Sequence, residues 1–182
     1  MKESTPEVIV IAHDLRSNYN VGSIIRTCDG LGVAKFVATG TTPFPRLKND
    51  DRLPHISKRA DEQIAKTALG AEQSVKIQHR DIIELIDELK TRGIAVYGLE
   101  QASSSVSLSD FKPTGSFALI VGNEPVGINE EILKLCDQII EIPMRGKKES
   151  FNVGVAAAIA LWQLTNWAKA RRYNKNNNAD NN

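Results

Sequence analysis

The residues best equipped for chemistry stand in four short segments. The first runs Asp14-Leu15-Arg16-Ser17-Asn18-Tyr19-Asn20-Val21-Gly22, with Arg26 just downstream. The second is Glu100-Gln101-Ala102, and the third is Gly122-Asn123-Glu124-Pro125-Val126-Gly127. The fourth, from Pro143 to Asn152, carries Met144, Arg145, Lys147, Lys148 and Ser150. Carboxamides such as Asn20 and Asn152 both donate and accept hydrogen bonds, ionised Glu124 only accepts, and Arg26 only donates while keeping its charge. A glycine such as Gly122 lets a backbone approach a ligand closely. Each residue also has a plain structural role open to it. Asn20 and Ser150 have the type and position of helix N-caps, Glu124 suits a solvated turn, and Arg26 suits the surface of an ordinary helix. Capping and ligand binding are compatible, because a capped helix start offers backbone N–H groups to a phosphate.

The surrounding pattern explains why these segments matter. Each follows a short apolar run: Val8–Ala12, Ile94–Leu99, Phe117–Val121 and Ile139–Ile142. With Phe36–Thr39 and Val75–Ile77, these runs are rich in Val, Ile, Phe and Tyr and predict strands. Helical spacing lies between them, at Ile24, Ile25 and Leu31, at Ile64 to Leu69, at Ile82 to Leu89, at Ile128 to Cys136, and from Phe151 to Arg172. Strands alternating with helices predict an α/β fold, a mostly parallel sheet with helices on both faces. In such a sheet ligands bind beyond the carboxyl ends of the strands, where all four segments fall. Two stretches stand apart. Thr41 to Arg59, with Pro43, Pro45 and Pro54 and the basic residues Arg46, Lys48, Arg52, Lys58 and Arg59, reads as a long functional or mobile loop. Asn174 to Asn182 is Asn-rich and reads as a disordered tail, leaving residues 1–173 as one domain.

Composition removes several classes of function. The chain has 182 residues, 23 Lys plus Arg against 22 Asp plus Glu, and a net charge of +1, so it is neither a globally basic nucleic-acid coat nor an acidic disordered protein. A local basic patch remains open. Cys28 and Cys136 form no Cys-x-x-Cys pair and His13, His55 and His79 are scattered, so no metal site is expected. The polar N-terminus does not resemble a signal peptide, and Val153–Ala168 is shorter than the about 20 residues of a membrane span. A cytoplasmic setting is therefore expected. The dinucleotide fingerprint fails at Lys35. The phosphate-binding loop fails at Glu141 and Lys148.

Three blocks, in order and spacing, resemble the SpoU (TrmH) family of S-adenosylmethionine-dependent RNA methyltransferases, within the SPOUT superfamily. Asn20-Val21-Gly22-Ser23-Ile24-Ile25-Arg26-Thr27 is similar to that family's Asn-x-Gly-x-x-x-Arg block. Ile120-Val121-Gly122-Asn123-Glu124-Pro125-Val126-Gly127-Ile128 resembles its Gly-x-Glu-x-x-Gly block. Ile142-Pro143-Met144 with Ser150-Phe151-Asn152-Val153 resembles its Ile-Pro-Met and Ser-Leu-Asn-Val block. Pro125 stands where the family often has Gly. Phe151 stands where Leu is usual, at the expected adenine pocket. The likeness covers roughly Val8 to Arg172.

The resemblance implies a C-terminal trefoil knot, which sequence physics alone would not predict. It implies a homodimer with shared active sites, no membrane and no metal, and a catalytic domain without an added N-terminal RNA-binding domain. The implied reaction is methyl transfer to a ribose 2′-hydroxyl of tRNA or rRNA. In that reading Arg26 stabilises the developing alkoxide and holds a neighbouring phosphate, Asn20 orients the ribose or phosphate, Glu124 anchors Arg26 or positions RNA, and Ser150 and Asn152 serve the substrate or Arg26. Gly122, Ile142, Phe151, Met144 and Leu99 surround the cofactor. Arg46, Lys48, Arg52, Lys58, Arg59, Arg145, Lys147 and Lys148 are expected phosphate contacts. On the last helix Val153, Ala157, Ala160, Leu161, Leu164 and Ala168 share a face. That face is expected to form the dimer seam with the Asn20 helix, core packing within one subunit being the alternative. Two other functions remain open: a catalytically silent RNA-binding dimer of the same fold, and a nucleobase methyltransferase.

Overall fold

The computed structural model describes residues 6–179, with side chains as far as Trp167. In chain order its elements are β1 (Val8–His13), α1 (Asn18–Leu31), β2 (Lys35–Thr39), α2 (Pro54–Ala68), α3 (Ala71–Ser74), β3 (Lys76–Arg80), α4 (Ile82–Thr91), β4 (Ala95–Leu99), β5 (Val106–Ser107), β6 (Phe117–Val121), α5 (Glu130–Leu135), β7 (Gln138–Glu141) and α6 (Val153–Ala179). The strands form one sheet in the order β3-β2-β1-β6-β4-β7-β5. Every pairing in it is parallel.

Alternation along the central strands builds two cores. Val8, Val10 and Ala12 of β1 join Ile24, Ile25, Ile64, Ala157 and Leu161 beneath α1, α2 and α6. Ile9 and Ile11 point the other way and join Leu85, Ile86, Leu89 and Ile132 beneath α4 and α5. Burial on both faces is why β1 and β6 read as unbroken apolar runs.

The order of the last strands bears on the expected knot. β4 and β5 are consecutive along the chain, yet β7 lies between them. This order is compatible with the threaded C-terminus that the resemblance implies.

Two local differences from the sequence have physical causes. Pro54 begins α2 at its first position rather than extending the loop, because its missing N–H is an orphan there anyway. The loop between β2 and α2 is therefore 40–53, and Lys58 and Arg59 are helical. β5 is two residues long, too short to leave an apolar run. The backbone of 174–179 continues α6, and 180–182 of the expected tail lie outside the described residues. No helix among the described residues is long and apolar enough to cross a membrane.

The expected seam on α6 is instead core. Ala157, Ala160, Leu161 and Leu164 are wholly buried within the chain. The exposed face of α6 carries Val155, Ile159 and Trp162, the last 61% exposed. Ala168 lies outside the residues whose side chains are described.

Candidate active site

The carboxyl ends of β1, β6 and β7 bring the three sequence blocks together. Asn20 sits in the first turn of α1, and its Nδ2 donates to Glu124 Oε1 at 2.7 Å. Asn152 Nδ2 donates to Asn20 Oδ1 at 3.1 Å. The Arg16 backbone N–H donates to Glu124 Oε2 at 3.3 Å. Asn20 is thus fixed at both ends of its amide. Burial pushes the Glu124 carboxyl up, but the bonds from Asn20 and from backbone N–H groups outweigh it and hold the group below its usual range.

The capping pattern is shifted from the sequence expectation. Ser17, not Asn20, caps α1, accepting from the Asn20 N–H at 3.2 Å. Asn152, not Ser150, caps α6, its Oδ1 accepting from the Gly154 N–H at 3.0 Å. Asn152 therefore joins a helix start to the Asn20–Glu124 pair. Ser150 is exposed and free to meet a ligand.

Asn123 and Glu100 were not among the expected site residues, and both shape the site. Asn123 Nδ2 donates to the Asp14 carbonyl at 2.8 Å, tying the loop after β6 to the loop after β1. Asp14 itself has φ +55, a left-handed conformation that Asp tolerates. Its Oδ1 accepts from the Thr41 N–H at 2.8 Å and hydroxyl at 3.0 Å. Glu100 Oε2 accepts from the Ile128 N–H at 2.8 Å, clamping the turn from Asn123 to Gly127. Both follow strand ends, the one signal that could have found them. Gly122 also has a packing reason to lack a side chain, since a Cβ there would lie 2.6 Å from the Gly127 backbone and from Ile128.

Behind this network lies a pocket of about 310 Å³. Leu99, Gly122, Ile142 and Phe151 line it, as do Glu124 and Ser150, and Met144 does not. Val121 and Ala156 add apolar surface, and Glu100, Glu141 and Glu149 add carboxylates. One side is suited to a flat apolar ring and the other to a cation or hydroxyls. Neither cysteine competes as a nucleophile, because burial pushes the Cys28 thiol up to about 12 and Cys136 up to about 11.

Arg26 lies outside this lining, exposed on α1. Glu124 does not anchor it, since that carboxylate is taken by Asn20 and Arg16. Its neighbour Thr27 lines a second, apolar groove of about 930 Å³ between α1 and α6, with Leu31, Ile159 and Trp162. Ile142 and Phe151 border both the groove and the pocket.

The basic residues divide. Arg46, Lys48, Lys58, Arg59, Arg145, Lys147 and Lys148 are exposed. Arg52 is not available as a phosphate contact. It pairs twice with Asp50, Nε to Oδ1 at 2.9 Å and Nη2 to Oδ2 at 2.6 Å, and its Nη1 donates to the Phe44 carbonyl at 3.0 Å. Arg52 locks its own loop.

Comparison with known proteins fits this geometry. The profile of the SpoU rRNA Methylase family matches residues 7–162. The 23S rRNA (guanosine(2553)-2′-O)-methyltransferase RlmP of Bacillus subtilis is 29% identical over 90% of this chain, which spans 60% of that protein. The tRNA (guanosine(18)-2′-O)-methyltransferase of Escherichia coli is 30% identical over 87% of this chain, which spans 62% of it. The AdoMet complex of the SpoU methyltransferase AviRb from Streptomyces viridochromogenes superposes with a TM-score of 0.73 at 24% identity, over 92% of this chain and 59% of that one.

Proposed function

Because the chain belongs to the SpoU rRNA methylase family, we propose that it methylates a ribose 2′-hydroxyl of tRNA or rRNA, using S-adenosylmethionine, as a cytoplasmic homodimer. The observation that carries this reading is the Glu124–Asn20–Asn152 chain of hydrogen bonds at the lip of the 310 Å³ pocket. Its relatives named above act on ribose oxygens of rRNA and tRNA.

The pocket fits the cofactor. Leu99, Val121, Ile142 and Phe151 offer an apolar slot for adenine, and the surrounding carboxylates suit a cation and ribose hydroxyls. When bound, S-adenosylmethionine supplies an electrophilic methyl group on a positively charged sulfur. The protein's own task is to present the ribose oxygen. Asn20, held at both ends, orients the sugar without reorganising. Arg26 stabilises negative charge developing on the 2′-oxygen, and the hydroxyl proton passes to solvent as the methyl group is transferred. Ser150 and the basic residues of the loops hold the RNA backbone.

The dimer has a surface suited to it. Val155, Ile159 and Trp162 are exposed along the α1/α6 groove, and a large exposed apolar face favours burial against another surface. Ile142 and Phe151 border groove and pocket alike, so a second copy seated on α6 would close one side of the cofactor site. Arg26, beside the groove and outside the pocket, is then placed to serve a shared active site.

Calorimetric titration with S-adenosylmethionine tests the reading. Saturable binding is expected. No binding at millimolar cofactor would refute the enzyme and favour a silent RNA-binding dimer.

A further inference from the structure

We propose that a second concave site, across the Asp14–Asn20 segment from the first pocket, binds one ribonucleotide of the RNA, its phosphate on Arg59 and its base on His79. The inference rests on the methyltransferase reading and adds a substrate subsite to it. The cavity is about 630 Å³, within the range of nucleotide-sized ligand pockets. It lies at the carboxyl ends of β2 and β3, between the 40–53 loop and the start of α2.

Its walls form a stack with one open end. The His79 ring lies 4.4 Å from the Phe44 ring at 16°. The Arg52 guanidinium sits 3.5 Å from the Phe44 centroid. Two partners at those distances cannot share one face of a phenyl ring, so the order is Arg52, Phe44, His79. Arg52 is neutralised by Asp50, and Phe44 is buried between its partners. His79 is the exposed end. Bases stack on such platforms whatever their identity.

The free charge in the cavity sits elsewhere. It is Arg59, one helical turn after His55 on α2, and among the described residues no ion pair or hydrogen bond engages the Arg59 side chain. The only carboxylate in the lining is Asp51, which is exposed. A third feature is polar. Asn18 lines the cavity, and its Nδ2 donates to Gln63 Oε1 at 2.7 Å while its buried Oδ1 has no partner. A cation, a ring face and an unused acceptor are the complement of a phosphate, a base and its N–H groups.

Two observations join this cavity to the first pocket. Asn18 and Asn20 lie two residues apart in the first turn of α1, each facing its own site, with Tyr19 between them 49% exposed. Asp14 links the two walls, its carboxylate holding Thr41 and its carbonyl holding Asn123. One strand of RNA crossing Tyr19 would bring a nearby nucleotide to this cavity while the target ribose meets Asn20 at the lip of the cofactor pocket. The loop is already fixed by Arg52 and Asp50, so the subsite needs no closure.

The test is steady-state methylation of total RNA from cells lacking this gene, by Arg59→Glu and His79→Ala. Each is expected to raise KM for RNA about tenfold, with kcat within twofold and S-adenosylmethionine affinity unchanged. Lys66→Glu makes the same charge change on α2 outside the cavity and is expected to leave KM near wild type. An unchanged KM in active Arg59→Glu and His79→Ala enzymes overturns the subsite. So does a fall in kcat alone, or an equal KM rise in Lys66→Glu. If the wild-type protein methylates no RNA at all, the failure lies with the methyltransferase reading instead.

Discussion

The two cavities flanking the Asp14–Asn20 segment are built by opposite means. The first is closed by hydrogen bonds between residues far apart in sequence, Asn20 to Glu124 and Asn20 to Asn152. The second is shaped by a loop that ties itself, with Arg52 bound to Asp50 two positions away and to the nearby Phe44 carbonyl. The first therefore exists only when the whole sheet and the start of α6 are in place. The second has a local frame that rests on the sheet through Phe44 and His79. Reaction geometry that depends on three distant blocks is an all-or-none property of the fold, whereas substrate selection can vary with one loop.

Breaking the first region should have the largest effect. Arg26→Ala is expected to lower kcat about 10²–10³-fold, the loss typical of a removed charge-stabilising donor. Calorimetry should still find S-adenosylmethionine bound, because Arg26 is outside the pocket. Near-normal turnover would remove Arg26 from the reaction. Next comes the groove that borders the pocket. Trp162→Asp puts a charge into the apolar face of α6 and should convert a dimer to monomers in analytical ultracentrifugation, with cofactor binding weakened. A dimer that survives it would place the seam elsewhere.

The second region should respond more modestly. Asp50→Ala leaves the Arg52 guanidinium without its carboxylate and is expected to cost about 1–3 kcal/mol of stability in denaturant unfolding. Cofactor affinity should not change. Equal loss of cofactor binding would mean the two regions are one unit.

The smallest effect separates them by pH. Glu124 and Asp14 are both held below their usual values of 4.5 and 3.8. For Asp14 burial pushes upward, and the Thr41 N–H and the His13 charge outweigh it. A depressed carboxyl contributes its full stabilisation above its unfolded pKa and loses it as pH falls through the folded one. The stability these carboxylates contribute should therefore hold above pH about 4.5 and decline below it alongside the shares of Glu7 and Asp50, and Glu124→Gln should lessen that decline. An unaltered acid limb in Glu124→Gln would assign it to other groups.

Much of this was legible in the residues. The apolar runs located the central strands, and the polar segments after them marked the edge where the site forms. What escaped depended on partners the chain supplies from a distance. Asn123 and Glu100 stand after strand ends, as the sequence shows, but they act on residues 109 and 28 positions away, and no local pattern announced those partners. Arg52 was counted as free charge because sequence displays a charge and not its counter-ion. The caps shifted by two or three residues because Ser17 and Asn152 are as capable by type as Asn20 and Ser150. On α6 both faces are apolar, Ala157, Leu161 and Leu164 on one and Val155, Ile159 and Trp162 on the other. Periodicity alone could not say which meets the sheet.

The central claim concerns one atom, the ribose 2′-oxygen. RNA from cells lacking the gene, incubated with the protein and isotopically labelled S-adenosylmethionine, can be digested to nucleosides and weighed by fragmentation. The account predicts the label on the sugar fragment, in a single nucleotide of tRNA or rRNA. Label on the base fragment would contradict it and make the protein a nucleobase methyltransferase.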